Sequence, residues 1–153
     1  MAWAAGVLPV SVRPDGEPVA LLGLDAWSKG GKWSDFAGGA EPGDASPEDT
    51  ALRELREETG GKCVRLCAAD LGNAMCVRDE TPSGKVIVRF VARVPWDPDA
   101  PRRFVPNAEK TAAAWFELRR LPRLRYVFYC QMERDMPRLV RWILHGKQDG
   151  SNV

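Results

Sequence analysis

The acidic stretch that follows Ser46 most constrains how this chain can fold, because both ends of a helix are marked in it. Ser46 can accept a hydrogen bond from a free backbone N–H group, and Pro47 suits the first helical position. Two acids follow and would meet the positive end of the helix dipole. The glycine pair that begins at Gly60 ends the helical run. The sequence therefore predicts a helix from Pro47 to Thr59.

The charge of this stretch is unusual for a chain of net charge +1. Seven acids and two arginines lie between Glu41 and Glu58, which gives the segment a net charge of −5. Glu54, Glu57 and Glu58 stand at helical spacing on one face, where like charges repel one another. A hard divalent cation such as Mg²⁺ or Mn²⁺ would offset that repulsion through oxygen ligands. The alternative is a solvated acidic face.

The rest of the chain alternates strand and turn patterns in pairs, with few strand–helix–strand units. One strand is the clearest, because Val86, Val88, Phe90, Ala92 and Val94 share a face at period two, opposite a half-polar face. This pattern predicts an α/β (α+β) domain, residues 1–153, with a mixed, mostly antiparallel sheet between helices. Strands are expected at 3–12, 17–26, 32–39, 63–67, 75–78, 85–94 and 113–118, and a helix at 126–145, kinked or split by Pro137.

Composition excludes several classes of protein. The chain is 44% hydrophobic and 28% charged, with a pI of about 7.7, which predicts no bulk affinity for nucleic acid or membrane. It has no apolar run long enough for a membrane span and no secretory signal pattern. The four cysteines form no C-x-x-C pair and the only histidine is His145, so we expect free thiols, no structural zinc and a cytoplasmic location.

The run RELREETG, which begins at Arg53, resembles the signature of the Nudix (MutT-like) hydrolases, G-x5-E-x7-R-E-U-x-E-E-x-G-U with U aliphatic. Gly38 and Gly39 match the opening glycine, and the spacing from Gly39 to Arg53 also fits. The chain departs from the pattern twice. Counted from Gly38, the acidic position holds Asp44, with eight rather than seven residues before Arg53. The closing aliphatic position holds Gly61.

The resemblance implies a Nudix fold and hydrolysis of a phosphoanhydride in a nucleoside diphosphate linked to another group X. It implies a Mg²⁺ or Mn²⁺ ion whose main ligands are Glu57 and Glu58. Glu54 would be a further ligand or the base that orients water, and the carbonyl of Gly38 would also bind the ion. Arg53 would orient Glu57 rather than contact the substrate.

The implied substrates are nucleoside triphosphates, NDP-sugars or ADP-ribose, dinucleoside polyphosphates and capped RNA. The expected partner is thus a phosphorylated small molecule or an RNA 5′ end. A homodimer is also expected, because dimers are common in the family.

Other side chains are candidates for the site. A further catalytic acid is expected from a late loop, where Glu109 is the first choice and Glu117 the second. Trp33 precedes the glycine loop and would stack on a base, unless it belongs to the core. Arg78 and Arg89, on predicted strands, are candidates for phosphate contacts.

A second charged segment lies near the end of the chain. Between Arg119 and Arg141 there are seven arginines and two acids, a net charge of +5. Arginine binds phosphate bidentately, so the segment would suit a polyphosphate, a capped RNA end or an inositol pyrophosphate. The alternative is a row of solvated arginines on an amphipathic helix.

Two other functions stay open from the sequence. The irregular spacing at Asp44 and Gly61 is compatible with a non-catalytic module that binds nucleotides or phosphate on a Nudix fold. A few members of the superfamily isomerise prenyl diphosphates, but with additional Cys and Glu residues that cannot be placed in this chain.

Overall fold

The computed structural model describes residues 3–123 and 136–146, which form one sheet flanked by helices. Strands β1 to β7 comprise Trp3–Val12, Pro18–Asp25, Trp33–Ser34, Phe36–Gly39, Met75–Glu80, Val86–Arg93 and Lys110–Glu117. Helices α1 to α3 comprise Pro47–Thr59, Ala68–Gly72 and Met136–His145. Short 3-10 turns comprise Trp27–Lys29, Ala100–Arg103 and Leu118–Arg123.

The sheet has the path β3-β2-β1-β6-β5. Strands β1 and β6 run parallel, with Trp3 opposite Val86 and Val10 opposite Arg93. Every other pairing among the described strands is antiparallel. Strand β4 pairs with the first half of β1, and β7 pairs with β2. The predicted mixed, mostly antiparallel sheet is confirmed.

Helices cover both faces of the sheet, and the alternation along β1 explains why. Val7 and Leu8 are neighbours in a strand, so their side chains point to opposite faces. Val7 belongs to one buried cluster with Leu55 of α1, and Leu8 belongs to the other with Trp142 of α3. Both faces are apolar because each one packs against a helix.

Helix α1 begins and ends where the sequence predicts. The Ser46 hydroxyl accepts a hydrogen bond from the backbone N–H of Asp49 at 3.2 Å, and Pro47 is the first helical residue. Gly60 ends the helix in the left-handed region at φ 81°, where its N–H bonds the carbonyl of Arg56. A glycine is favoured there because a Cβ destabilises positive φ.

Strand β6 differs from its predicted polarity. Val88, Phe90 and Ala92 are buried on the α1 face, as expected. On the opposite face Arg89 and Val91 are also buried, with Arg89 only 4% exposed. The face that reads as half polar is thus buried along most of the strand and exposed at Arg93, and Arg89 has a buried partner that is described below.

The predicted strand at 63–67 is wrong. The chain there is irregular and leads into α2. Its polar groups bind the 3-10 turn instead of a neighbouring strand: the Cys63 thiol contacts the carbonyl of Ala100 at 3.0 Å. Arg103 donates to the carbonyls of Lys62 and Cys63. These contacts replace the hydrogen bonds that a strand would need.

The predicted terminal helix, 126–145, is described only from Met136 onward, and residues 124–135 lie outside the described part of the chain. Pro137 is the second residue of α3, where its missing N–H costs nothing. Whether Pro137 kinks or splits a longer helix depends on residues 124–135, which lie outside the described part of the chain, so the kink stays a prediction.

Two chain-wide expectations can be compared with the described residues. Among them, no helix is both long enough and apolar enough to cross a membrane. Cys63, Cys67 and Cys76 are free thiols, while Cys130 lies outside the described residues.

Candidate active site

The helix α1 aims two carboxylates into the protein, one helical turn apart. Glu54 is 7% exposed and Glu58 is 4% exposed, which is rare for glutamate. Glu54 lies against Gly38 of β4: a Cβ placed on Gly38 would be 2.3 Å from the Glu54 carboxylate. Because glycine has no side chain, strand β4 can lie directly beside this carboxylate.

A third carboxylate reaches the same place from the residue that precedes β7. Glu109 directly precedes β7, in an exposed position. Oxygen atoms of Glu54, Glu58 and Glu109 all lie within 4.8 Å of one another. We call these three residues the carboxylate cluster. They offer the hard oxygen ligands that Mg²⁺ and Mn²⁺ prefer.

The electrostatics of Glu58 indicate that the cluster fits a cation. Its Oε1 atom is buried and has no hydrogen-bond partner among the described residues. Burial raises the pKa of Glu58 to about 8; Lys110 opposes that shift, and Glu54 and Glu109 add to it. Burial also raises the pKa of Glu54, against the attraction of Arg53. A buried, unpaired carboxylate oxygen is costly unless a cation or donor binds it.

Arg53 of α1 binds the loop between β4 and α1, which contains Asp44. It donates to both carboxylate oxygens of Asp44, at 3.1 and 2.8 Å, and to the carbonyl of Gly39 at 2.9 Å. It also donates to Glu54 at 2.9 Å and to Glu57 at 3.1 Å. The guanidinium holds the pKa of Asp44 well below its usual range.

Asp44 therefore binds Arg53 in spite of its irregular spacing in the signature. It is only 6% exposed, and it also accepts hydrogen bonds from the Glu41 N–H and the Thr50 hydroxyl at 2.9 Å each. The one extra residue between Asp44 and Arg53 does not prevent the two side chains from pairing. The Asp44 carboxylate binds the Arg53 guanidinium through two hydrogen bonds.

Glu57 stands apart from the carboxylate cluster. Its side chain is 53% exposed and binds Arg53. The structure thus brings together Gly38, Glu54 and Glu58 of the expected metal site and adds Glu109. That Glu57 binds a metal stays a prediction, and it requires the side chain to turn away from Arg53.

A cavity of about 490 Å³ opens beside the cluster. Two of its cationic side chains are buried and already paired: Arg89 with Asp35, and Lys110 with Asp25 at 2.5 Å. Lys110 also donates to the Ser34 hydroxyl and to the carbonyl of Asp35. These two pairs form the floor of the cavity, next to Glu58, whose Oε2 is 4.0 Å from the Lys110 Nζ.

The sequence did not point to the Lys110 pair. Asp25 and Lys110 are 85 residues apart and meet only because β2 pairs with β7. One signal was available: Lys110 lies just before the apolar middle of β7, residues 112–116, and a charge buried there must find a partner.

Three predicted site residues lie elsewhere. Trp33 packs edge-on against Phe116, with ring centroids 4.8 Å apart, and does not line the described cavity. Arg78 is exposed on β5, outside that cavity. Glu117, the second choice for a catalytic acid, ends β7 and pairs with Arg13 at 3.0 Å. Arg89 does line the cavity, but as the partner of Asp35.

The arginine-rich segment is described only in part. Arg119 and Arg120 are exposed after β7, and Arg138 and Arg141 are exposed on α3. None of these four lines the cavity beside the carboxylate cluster. The stretch 124–135 lies outside the described residues, so its role stays a prediction.

Comparison with known proteins identifies relatives in sequence and in fold. A Mycobacterium tuberculosis protein named "Putative 8-oxo-dGTP diphosphatase 3" is 33% identical over 156 aligned positions, which cover 90% of this chain and 71% of that protein. The fold resembles a Caenorhabditis elegans Ap4A hydrolase in a binary complex (TM-score 0.68, 17% identity, 92% and 97% of the two chains). It also resembles the Nudix hydrolase RenU of M. smegmatis (TM-score 0.63, 20% identity, 94% and 90%).

The family assignment rests on a match that spans most of the chain. The model of the NUDIX domain matches residues 3–135, which include β1 to β7, α1 and the whole carboxylate cluster. The chain therefore belongs to the Nudix family and is a Nudix pyrophosphohydrolase.

Proposed function

We propose that the protein hydrolyses a phosphoanhydride bond in a nucleoside diphosphate linked to a group X, with Mg²⁺ or Mn²⁺ bound at the carboxylate cluster. The convergence of Glu54, Glu58 and Glu109 within 4.8 Å carries the proposal. The buried Oε1 of Glu58, which has no partner in the described part of the chain, supports it, because it lies where a ligand to a cation is needed. The carbonyl of Gly38, beside Glu54, is a further candidate ligand.

Each residue of the cluster has a distinct part in this proposal. When bound, the cation would neutralise phosphate charge and lower the pKa of the attacking water. Glu58 is the most buried carboxylate and serves as a ligand. Glu54 is held by Arg53 and serves as a ligand or orients the water. Glu109 is exposed at the mouth, where it can accept a proton from that water.

Arg53 is a positioning residue in this account. Its donors are directed at Asp44, Glu54, Glu57 and the carbonyl of Gly39, all groups of the protein itself. It fixes the glycine loop against α1 and so fixes Glu54 beside Gly38. We infer no substrate contact for it.

The names of the relatives suggest nucleotide substrates but do not agree on one compound. Their names mention 8-oxo-dGTP and Ap4A, and a further structure of the same fold was solved with ADP ribose. Nucleoside triphosphates, ADP-ribose or NDP-sugars, dinucleoside polyphosphates and capped RNA 5′ ends are therefore the substrates to test. We also propose a cytoplasmic location, which the free thiols support, and a homodimer, which sedimentation would test.

A panel assay tests the proposal. Purified protein with Mg²⁺, with Mn²⁺ and with EDTA is given those substrates and inositol pyrophosphates. Glu58→Gln is expected to lower kcat/KM at least about 100-fold, because it removes a ligand without changing side-chain volume. Glu48→Gln, on the first turn of the same helix, is the matched control and should behave like wild type. No turnover on any substrate, or equal activity of Glu58→Gln and wild type, contradicts the proposal.

Glu57→Gln in the same assay tests whether Glu57 is itself a ligand of the cation or only a partner of Arg53. A loss as large as that of Glu58→Gln would make Glu57 a ligand. A smaller loss would assign it to the Arg53 network, as its present contact does.

A non-catalytic binding module is not favoured by the geometry. The irregular spacing that suggests it leaves Asp44 paired with Arg53. Such a module would bind nucleotides equally well with EDTA and after Glu58→Gln, which the same protein samples can test.

A further inference from the structure

The most exposed large apolar side chain of the described residues is Trp27, at 88% exposure. It lies in the 3-10 turn Trp27–Lys29, between β2 and β3. Tryptophan buries much of its surface on average, so an indole left almost entirely in water is unusual for folding alone. An indole this exposed contributes little to the buried core and is available for contact with another molecule.

The turn that carries Trp27 is attached to the carboxylate cluster. The N–H of Ala26 donates to the backbone carbonyl of Glu109 at 2.8 Å. Lys29, on the same turn, lines the cavity beside Glu58. Trp27 does not itself line the cavity, but it lies between Ala26, which binds the segment of Glu109, and Lys29, which does line it.

The turn is also preorganised. Its backbone N–H groups at Lys29 and Gly31 both donate to the carbonyl of Ala26, at 2.8 and 3.2 Å. Gly31 adopts φ +62°, and a Cβ built there would be 3.1 Å from Cε3 of Trp27. The bare backbone of Gly31 thus lies against one side of the indole ring, and the rest of the ring faces solvent.

The cations of the cavity divide into two sets. Arg89 and Lys110 are buried and neutralised by Asp35 and Asp25. Lys29 and Lys85 are exposed on the rim, and neither forms an ion pair with any of the described residues. Lys85 extends over Gly39, where its Nζ would be 3.9 Å from a Cβ. The rim can therefore accept an anion from the substrate.

We propose that Trp27 and Lys29 form a substrate subsite for an aromatic ring joined to phosphate, in which a nucleobase stacks on the indole and Lys29 contacts the adjoining phosphate. The proposal rests on the function proposed above and makes it more specific. Every base has a π-face, so stacking of this kind accepts different bases. It favours nucleotides over inositol pyrophosphates, which carry no aromatic ring.

Binding of two inert probes tests the subsite without turnover. α,β-Methylene-ADP carries a base and a non-hydrolysable diphosphate, and methylenebisphosphonate carries the phosphate groups alone. Isothermal titration with Mg²⁺ present is expected to give a Kd for the nucleotide that Trp27→Ala raises about 5-fold to 100-fold. The Kd for bisphosphonate should stay within about twofold. Trp27→Phe should retain most of the affinity for the nucleotide, because the ring face remains.

Lys29 variants and a distant control complete the experiment. Lys29→Ala should weaken both probes by up to about fivefold, as expected for an exposed charge pair, and Lys29→Arg should restore them. Leu144→Ala changes an exposed apolar side chain on α3 and should leave both Kd values unchanged.

Three results would overturn the subsite. Trp27→Ala could bind the nucleotide as tightly as wild type, or weaken both probes equally. Sedimentation could also show a dimer that Trp27→Ala dissociates, which would make Trp27 a subunit contact. Failure of the proposed function gives a distinct result. No substrate of the panel is hydrolysed, while Trp27→Ala still raises the Kd of the nucleotide and leaves that of bisphosphonate unchanged.

Discussion

At the scale of single residues, Arg53 links the acids of the loop to Glu54 of the carboxylate cluster. Its side chain is 14% exposed, and it lies within 3.4 Å of carboxylate oxygens of Glu41, Asp44, Glu54 and Glu57. Among the described residues, Arg53 forms no ion pair with Glu58, and Oε1 of Glu58 has no hydrogen-bond partner. The same stretch thus contains a network in which one arginine holds four carboxylates, and a further carboxylate that needs a cation.

The Asp44–Arg53 pair predicts a specific loss of stability in acid. Because the pKa of Asp44 is lowered in the folded protein, its contribution is present above its unfolded pKa of about 4 and is lost as pH falls below it. Asp44→Asn should therefore reduce the free energy of unfolding at pH 7 and flatten its decline between about pH 5 and pH 2. Urea denaturation at each pH measures this.

Asp99→Asn is a suitable comparison, because that side chain is 59% exposed and its ion pair with Arg102 is on the surface. It should leave the pH profile unchanged. If the profile of Asp44→Asn ran parallel to that of wild type, the pair would not control acid stability.

Gly38 gives a test that separates activity from stability. A Cβ there would overlap the Glu54 carboxylate, which is the end of a flexible side chain and can move away. Gly38→Ala should therefore cost little stability, about 1 kcal/mol or less, yet displace Glu54 and lower kcat/KM about 10-fold or more. Gly43→Ala is the matched control, because a Cβ there would meet nothing within 4 Å. Equal activity of the two variants would contradict the placement of Glu54.

Residues differ in how far the sequence predicts their surroundings. Glu54 and Glu58 could be placed together because helical spacing is local. Trp33 could not be oriented, since the face it takes depends on how β3 pairs with β2 and on where Phe116 lies. The partner of Arg89 was hidden for the same reason: Asp35 is 54 residues away.

At the scale of elements, the Asp35–Arg89 pair joins β6 to the link between β3 and β4. Both side chains are about 5% exposed. Removing one partner leaves a buried charge, so Arg89→Met should destabilise by about 3–5 kcal/mol. The double variant Arg89→Met/Asp35→Leu should recover much of that loss, because no unpaired charge remains. Chemical denaturation measures all three proteins, and a double variant no more stable than Arg89→Met would contradict the explanation.

The helices and strands whose ends are marked by nearby capping residues were predicted most accurately. Helix α1 has its cap, its proline and its terminal glycine within the sequence, and both of its bounds agree. The segment 63–67 has a strand-like composition, but its conformation is set by Arg103 and Ala100, some 40 residues later. Local propensity is a weak guide where a long-range contact decides.

At the scale of the whole molecule, two buried clusters share one sheet. Strand β1 contributes Val7 to one cluster and Leu8 to the other, so neither can form without the sheet. We propose that residues 1–153 are a single domain, and we expect one cooperative transition. Circular dichroism and tryptophan fluorescence should give coincident urea curves. Two separated transitions would indicate two independent units.

The carboxylate cluster is proposed to bind a divalent cation, and that binding can be measured directly. Electron paramagnetic resonance of free Mn²⁺, titrated into wild type, Glu58→Gln and Glu48→Gln, measures this without any substrate. We predict that wild type and Glu48→Gln bind the ion with equal affinity and that Glu58→Gln binds it at least about 10-fold more weakly. Loss of a residue that only supports a metal ligand already weakens metal binding by about 10-fold or more, so loss of a ligand should cost at least as much. Equal Mn²⁺ affinity of Glu58→Gln and wild type would contradict the account.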